Sequence, residues 1–229
     1  MEATMHFLLH SPYLFSMSFQ AIIPFKPVNP KTRLSCLLNQ EEREIFARAM
    51  LKDVVSAVQR AGGEVSLLCT TPFTYPGART VVSDLGLNEA LNNFLAEADS
   101  PLLIIMADLP LVTPEAVRRI TSTAADCAIA PGRGGGTNAI FLRHPGTFLV
   151  DFYGASFLDH MRIARSLSLE TEVVDSFRLH TDIDEKEDLV EILLHAEGES
   201  RNFLERSGFS LLVEKGRVSV QRDAHKQAF

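Results

Sequence analysis

Leu102–Leu103–Ile104–Ile105–Met106–Ala107–Asp108–Leu109–Pro110 is an apolar run that ends in one carboxylate and is then stopped by a proline. Such a run, bounded by turn signals, predicts a central parallel strand covered on both faces. In open α/β sheets, ligands bind beyond the carboxyl ends of the strands. Asp108 therefore stands where chemistry is done, and a carboxylate there can hold a divalent metal. Taken alone, the same residue also fits a solvated turn.

Strand and helix signals alternate on both sides of that run. Upstream, residues 20–24 form a short apolar strand, and Asn39 with Glu42 three residues on has the form of a capping box. Phe46, Met50, Val54 and Val58 then recur at i+4, a buried helical stripe that Gly62 and Gly63 end. Strands are expected over 65–70 and 79–83, and a helix over 88–98. Downstream, Thr113 followed by Pro114 starts a helix reaching about residue 124. Strands follow over 127–130 and 138–142, then a helix over 156–167. Further strands are expected over 172–174 and 177–179, and helices over 185–196 and 200–207. Residues 209–213 and 218–221, joined through Lys215 and Gly216, read as a β-hairpin. The organisation is one α/β domain over 17–196, a helix-and-hairpin appendage over 197–229, and an N-terminal extension over 1–16.

Composition narrows the function class. The chain has 229 residues, 46% hydrophobic and 22% charged, enough for one sizeable core. A formal net charge of −7 argues against a broad nucleic-acid surface, which needs a basic footprint. No stretch after the first nineteen residues is long enough to span a bilayer. Cys36, Cys69 and Cys127 are odd in number and lack paired metal spacing, so reduced thiols of a cytoplasmic protein are expected. Residues 1–16 have no basic n-region and contain Glu2 and Pro12, a poor fit to a signal peptide, and Met17 is a candidate start.

Four segments carry candidate chemistry. Residues 24–35, PFKPVNPKTRLS, leave the ligand end of the first strand with Lys26, Lys31 and Arg33 among three prolines. A restricted basic loop is a preorganised polyphosphate clamp, in which Arg33 grips bidentately and the lysines act as point charges. A solvated basic turn is the other reading. Residues 132–138, GRGGGTN, let backbone N–H groups approach an anion, and Thr137 adds a hydroxyl. Gly154, Ala155 and Ser156 open a helix, with Ser156 as N-cap and Asp159 three residues on, and helix N-termini are anion sites. His160 lies one turn further in and reads as a packed or solvated side chain. Residues 180–188, HTDIDEKED, hold Asp182 after a strand and Asp184, which is expected to cap the helix at Glu185 with Glu187 at N3. Asp182 paired with Asp108 across a pocket would complete a Mg²⁺ site with phosphate oxygens. These parts suffice for phosphoryl or nucleotidyl transfer, which depends chiefly on positioning and charge neutralisation.

In the order PFKPVNPKTRLS, SDLGLNEAL, ADLPL, GGGTNAIF, YGASFLDH and TDIDEKEDL, the chain resembles the 2-phospho-L-lactate guanylyltransferases of coenzyme F-420 biosynthesis, from about residue 19 to 194. Gly208–Phe209 and Gly216–Arg217 resemble a C-terminal element of the archaeal members. The resemblance implies the nucleotide-diphospho-sugar transferase fold, GT-A-like and Rossmann-like in three layers. It also implies a reaction of GTP with 2-phospho-L-lactate. By the same resemblance Asp108 and Asp182 would hold Mg²⁺ with Asp184 nearby. Thr137, Gly154 and Ser156 would bind the phosphorylated acid. Lys26, Lys31 and Arg33 would hold the triphosphate, and Asn88 would border the nucleotide. Alternatives are a related nucleotidyltransferase acting on phosphoenolpyruvate, 3-phosphoglycerate or a sugar phosphate, and a non-catalytic nucleotide-binding module. The apolar hairpin, with Phe209, Leu211, Leu212 and Val213, either folds back on its own domain or packs on a second copy as a homodimer.

Overall fold

In the computed structural model residues 18–223 are described, and the expected extension over 1–16 lies outside them. The strands are Phe19–Phe25 (β1), Gly63–Cys69 (β2), Arg79–Val82 (β3), Leu102–Ile105 (β4), Cys127–Pro131 (β5), Thr137–Leu142 (β6) and Thr171–Val173 (β7). They form one sheet in the order β3-β2-β1-β4-β6-β5-β7. All four residues of β4 are fully buried, as its unbroken apolar run requires. It runs parallel to β1 but antiparallel to β6, so the expected parallel environment holds on one side only. The reversal arises because β5 and β6 are a hairpin, closed by a bond from Gly132 N–H to the Gly136 carbonyl.

Helices cover both faces, making three layers. Gln40–Arg60 (α1) starts at the expected capping box, in which Asn39 and Glu42 each accept the other's backbone N–H at 2.9 Å. Leu87–Glu97 (α2) follows β3, and Pro114–Thr121 (α3) starts where Thr113 Oγ1 accepts the Ala116 N–H. Val54, Val58 and Ile120 of α1 and α3 pack on one face of the sheet. Leu91 and Leu95 of α2 pack on the other, with Ala164 of Ser156–Ser166 (α4).

The expected strand over 177–179 is instead a single helical turn, Phe177–His180 (α5). The expected helix over 185–196 begins as a 3-10 turn, Lys186–Asp188, before Leu189–His195 (α6). Glu199–Arg206 (α7) leads into the expected hairpin, Phe209–Glu214 (β8) with Arg217–Arg222 (β9). Lys215 and Gly216 both have positive φ, the backbone that tight hairpin turns need. A third apolar cluster joins Leu34, Leu38, Phe46 and Met50 to Ile192, Phe203, Leu204 and Phe209. The base of the hairpin thus packs on its own chain, while Val213 and Val218 near its tip are exposed. Among the described residues no helix is long and apolar enough to cross a membrane.

Candidate active site

The basic loop leaves β1 under backbone constraint. Asn29 and Lys31 sit in the left-handed region at φ 46° and 48°, where a side chain is strained unless its surroundings hold it. The buried Arg43 of α1 supplies that hold, donating to the Pro30 carbonyl at 3.1 Å, the Leu38 carbonyl at 3.1 Å and Asn29 Oδ1 at 2.6 Å. Glu44 Oε1 accepts the Asn29 N–H at 3.1 Å. Lys31 is thereby turned inward, its Nζ 2.5 Å from Asp108 Oδ2 and 2.6 Å from Asp184 Oδ1. Burial opposes the ammonium, but the Asp108 and Asp184 charges outweigh it and hold its pKa above the ordinary lysine value. Arg33 is more exposed and reaches Asp184 at 3.5 Å and Glu185 at 3.4 Å.

Two acidic segments distant in sequence are stitched together by backbone bonds. The Asp108 carbonyl accepts the Ile183 N–H at 3.1 Å, which sets Asp182 and Asp184 beside the end of β4. Asn138 of β6 fixes the approach to Asp182, donating from Nδ2 to the Leu179 carbonyl at 2.9 Å and the His180 carbonyl at 3.1 Å. It also lies 3.5 Å from Asp182 Oδ1. Gly132 leaves room for this amide, since a Cβ there would stand 2.3 Å from Asn138 Oδ1. Arg133 donates to the Asp182 carbonyl at 2.8 Å and pairs with Asp188 at 2.5 Å.

Burial, and then the Asp108 charge, push the Asp182 carboxyl above its usual range. Asp184 is held below its usual value because Lys31 outweighs the effect of burial. Asp108 Oδ1 is buried without a hydrogen-bond partner. Among the described residues, no three His, Cys, Asp or Glu side chains gather closely enough to hold a metal unaided. Asp184 does not cap the following helix as expected. Glu185 is the N-cap with Asp188 at N3, and Asp188 Oδ2 accepts the N–H groups of Asp184 and Glu185. The carboxylate of Asp184 is left to face the cations because Asp188 takes over the capping.

The expected acid-binding residues form a second group, past Asn138. Ser156 is the first residue of α4, not its N-cap; Ala155 holds that position, with no side-chain cap. The Ser156 hydroxyl is turned inward instead, 3.3 Å from Thr137 Oγ1, and both side chains are buried. Gly154 stands at positive φ just ahead of them. His160 is fully buried, with Nδ1 2.9 Å from Thr137 Oγ1. Asn88 is occupied structurally: its Nδ2 donates to Asp151 Oδ1 and its Oδ1 accepts the Phe152 N–H, each at 2.8 Å.

A cavity of about 400 Å³ brings Lys26, Lys31, Arg33, Asp108 and Asp184 together. A second, of about 320 Å³, adjoins it at Pro24, Phe25 and Lys26 and is lined largely by apolar groups from β2 and α2, including Leu68, Leu87 and Ala90. Thr137, Gly154 and Ser156 line neither cavity. Arg133, Asn138 and Asp188, on which the geometry depends, lie in the candidate segments without a role assigned to them there, and Arg43 lies outside those segments. Their long-range bonds reveal what each does.

The fold has known counterparts. Residues 19–224 match the family model described as guanylyl transferase CofC like. The 2-phospho-L-lactate guanylyltransferase of Methanoculleus marisnigri is 60% identical over 214 residues, covering 93% of this chain and all of that one. A nucleotide-diphospho-sugar transferase structure from Desulfovibrio desulfuricans G20 superposes with a TM-score of 0.69 at 16% identity, covering 83% of this chain and 94% of that one. A Mycobacterium tuberculosis H37Rv protein solved with manganese superposes with a TM-score of 0.50 at 18% identity, covering 77% of this chain and 98% of the other. The three layers are therefore those of the nucleotide-diphospho-sugar transferases, and the chain belongs to the CofC-like guanylyl transferase family.

Proposed function

We propose that this protein transfers the guanylyl group of GTP to 2-phospho-L-lactate, giving lactyl-2-diphospho-5′-guanosine and pyrophosphate in the biosynthesis of coenzyme F-420. The observation that carries this reading is the convergence of Lys31, Asp108 and Asp184, from three distant segments, on one cavity of a chain 60% identical to an enzyme named for that reaction.

Lys26, Lys31 and Arg33 are assigned to the triphosphate, and the adjoining apolar cavity to the nucleobase. Thr137, Gly154 and Ser156 are assigned to the phosphorylated acid. An acceptor phosphate is already anionic at neutral pH, so the reaction requires no general base. One of its oxygens forms a bond to the α-phosphorus of GTP. The bridging bond to the β-phosphate breaks, and pyrophosphate departs with the electron pair. Lys31 and Arg33 stand where charge builds on that leaving group, and preorganised cations are effective there because little reorganisation is needed. Both keep Asp184 as a counter-ion, which holds them in place before substrate arrives.

A divalent cation fits the carboxylate site, and we assign Mg²⁺ to it. The orphaned Asp108 Oδ1 and the raised Asp182 carboxyl both call for positive charge, and Asp108 and Asp182 are the residues that would hold the ion. When bound, it would screen the repulsion between nucleotide and acceptor phosphate.

The test is a product assay crossing GTP and ATP with 2-phospho-L-lactate, phosphoenolpyruvate and 3-phosphoglycerate. Pyrophosphate release with GTP and phospholactate alone is expected. Release only with another acid would overturn the acceptor, and release with none would leave a nucleotide-binding module. Asp108→Ala and Asp182→Ala should each lower turnover by about 10²–10³ with the fold intact, the size of effect seen on removing a key electrostatic group. Calorimetry with Mn²⁺ should show lost metal binding, and full activity in either variant would remove it from the site.

A further inference from the structure

His160 is buried on α4 and takes no part in the carboxylate site. Its ring is packed edge-on to Phe152, with centroids 4.8 Å apart, and both nitrogens are engaged. Nε2 lies 3.0 Å from the backbone nitrogen of Asp151. A backbone N–H can only donate, so Nε2 accepts and carries no proton. A neutral imidazole has one N–H, which therefore sits on Nδ1 and donates to Thr137 Oγ1 at 2.9 Å. Burial pushes the imidazolium pKa down to about 4, so the ring is neutral throughout the physiological range.

The Asp151 N–H is itself held in place. Asp151 Oδ1 accepts from Asn88 Nδ2, and the next backbone N–H, that of Phe152, donates to Asn88 Oδ1. Asn92 clasps Val150 from both sides, accepting its N–H and donating to its carbonyl. Helix α2 thus fixes the 150–152 segment, that segment fixes the tautomer of His160, and His160 fixes Thr137. Thr137 Oγ1 accepts from Nδ1–H, and the Ser156 hydroxyl lies 3.3 Å away. A hydroxyl oxygen that accepts from the ring still has its own proton to give.

We propose that His160 is the positioning residue of the acid subsite, presetting the Thr137 hydroxyl as a donor to an anionic oxygen of the phosphorylated acid. This rests on the assignment of Thr137 and Ser156 to that acid. The N-terminus of α4 supports it, because this eleven-residue helix begins at Ser156 with no side chain capping it. A ring in the other tautomer would accept from Thr137 and draw its proton away from a ligand.

The test uses the full chain with GTP and 2-phospho-L-lactate. His160→Phe keeps the ring and removes both hydrogen bonds. It should raise the KM for 2-phospho-L-lactate by about tenfold, the equivalent of roughly 1.4 kcal/mol, and leave the KM for GTP unchanged. His160→Asn, which returns an N–H near Nδ1, should recover most of that loss. Adding Thr137→Val to His160→Phe should produce no further change. An unchanged acid KM in folded His160→Phe, or an equal rise in both KM values, would overturn the proposal. If Thr137→Val alone leaves the acid KM unchanged, the acid-site assignment itself fails. Should His160→Phe not fold, ¹⁵N spectra of the histidines in the unmodified protein decide the matter. An unprotonated Nε2 is expected at residue 160, and a protonated Nε2 overturns the proposal.

Discussion

Lys31 occupies a backbone conformation that few side chains adopt, and its strain is of the order of 1–3 kcal/mol. Three hydrogen bonds from Arg43, each worth about 0.5–1.5 kcal/mol, are enough to offset it. Arg43→Met, which keeps the stem and removes the fork, should therefore release the loop. Faster hydrogen exchange over residues 26–36 and at least a tenfold fall in turnover are expected. Exchange unchanged from wild type would show that the prolines suffice alone. His160 makes a separate prediction about acid. Its pKa is about 4 in the fold against 6.5 for the free side chain, so below pH 6.5 the unfolded chain takes up a proton that the folded chain refuses. This contribution is complete above pH 6.5 and lost as pH falls toward 4. Melting temperatures recorded across that window should drop more steeply in wild type than in His160→Phe, and parallel curves would contradict the buried neutral ring.

At the scale of the element, α7 shows how a helix start can be supplied from elsewhere. Gly198, its N-cap, has no side chain to offer. Asp53 of α1 accepts the N–H groups of Glu199 and Ser200 at 2.7 and 3.0 Å and the Ser200 hydroxyl at 2.6 Å. Asp53→Ala should cost about 1–2 kcal/mol, as loss of a helix cap does. That corresponds to about 2–8 °C in melting temperature for a chain of this size. Calorimetry checks this, and no change would mean that water serves the helix start equally well. The same remoteness explains what could be read from the chain in advance. Asn39 with Glu42, Thr113 with Pro114, and Lys215 with Gly216 act on their own neighbours, so those starts and turns were legible. Residues 177–180 were not. Phe177 and Leu179 alternate like a strand, yet the carbonyls of Leu179 and His180 bond to Asn138, far away in sequence. Asp108 and Asp182 stood out as carboxylates after apolar segments, whereas Arg43 looks like any helical residue until the chain is folded. Asn138 stood at the end of a glycine loop with nothing to show which carbonyls it would bind.

Across the whole molecule, the apolar residues divide into three clusters, and the third has the most bearing on the site. It joins Leu34 and Leu38, next to the basic loop, to Ile192, Leu204 and Phe209 near the end of the chain. Phe46 stacks on Phe203 at 5.4 Å, and Arg222 of β9 reaches the Leu37 carbonyl at 2.6 Å and pairs with Glu42. Met50 belongs both to this cluster and to the wall of the larger cavity. Deleting residues 209–229 should therefore lower thermal stability and GTP affinity together. A stability loss with unchanged nucleotide binding would show that the loop holds without its brace. Synthesis from N- to C-terminus gives this arrangement a consequence in time. The basic loop leaves the ribosome well before the C-terminal segment that supports it. If the loop takes GTP as proposed, stalled chains lacking that support should fail to retain a fluorescent GTP analogue, and the full chain should retain it. Competence for substrate would then be conferred late and all at once, and an unfinished product would be marked by the bare Leu34, Leu38 and Phe46 that it exposes to proteases.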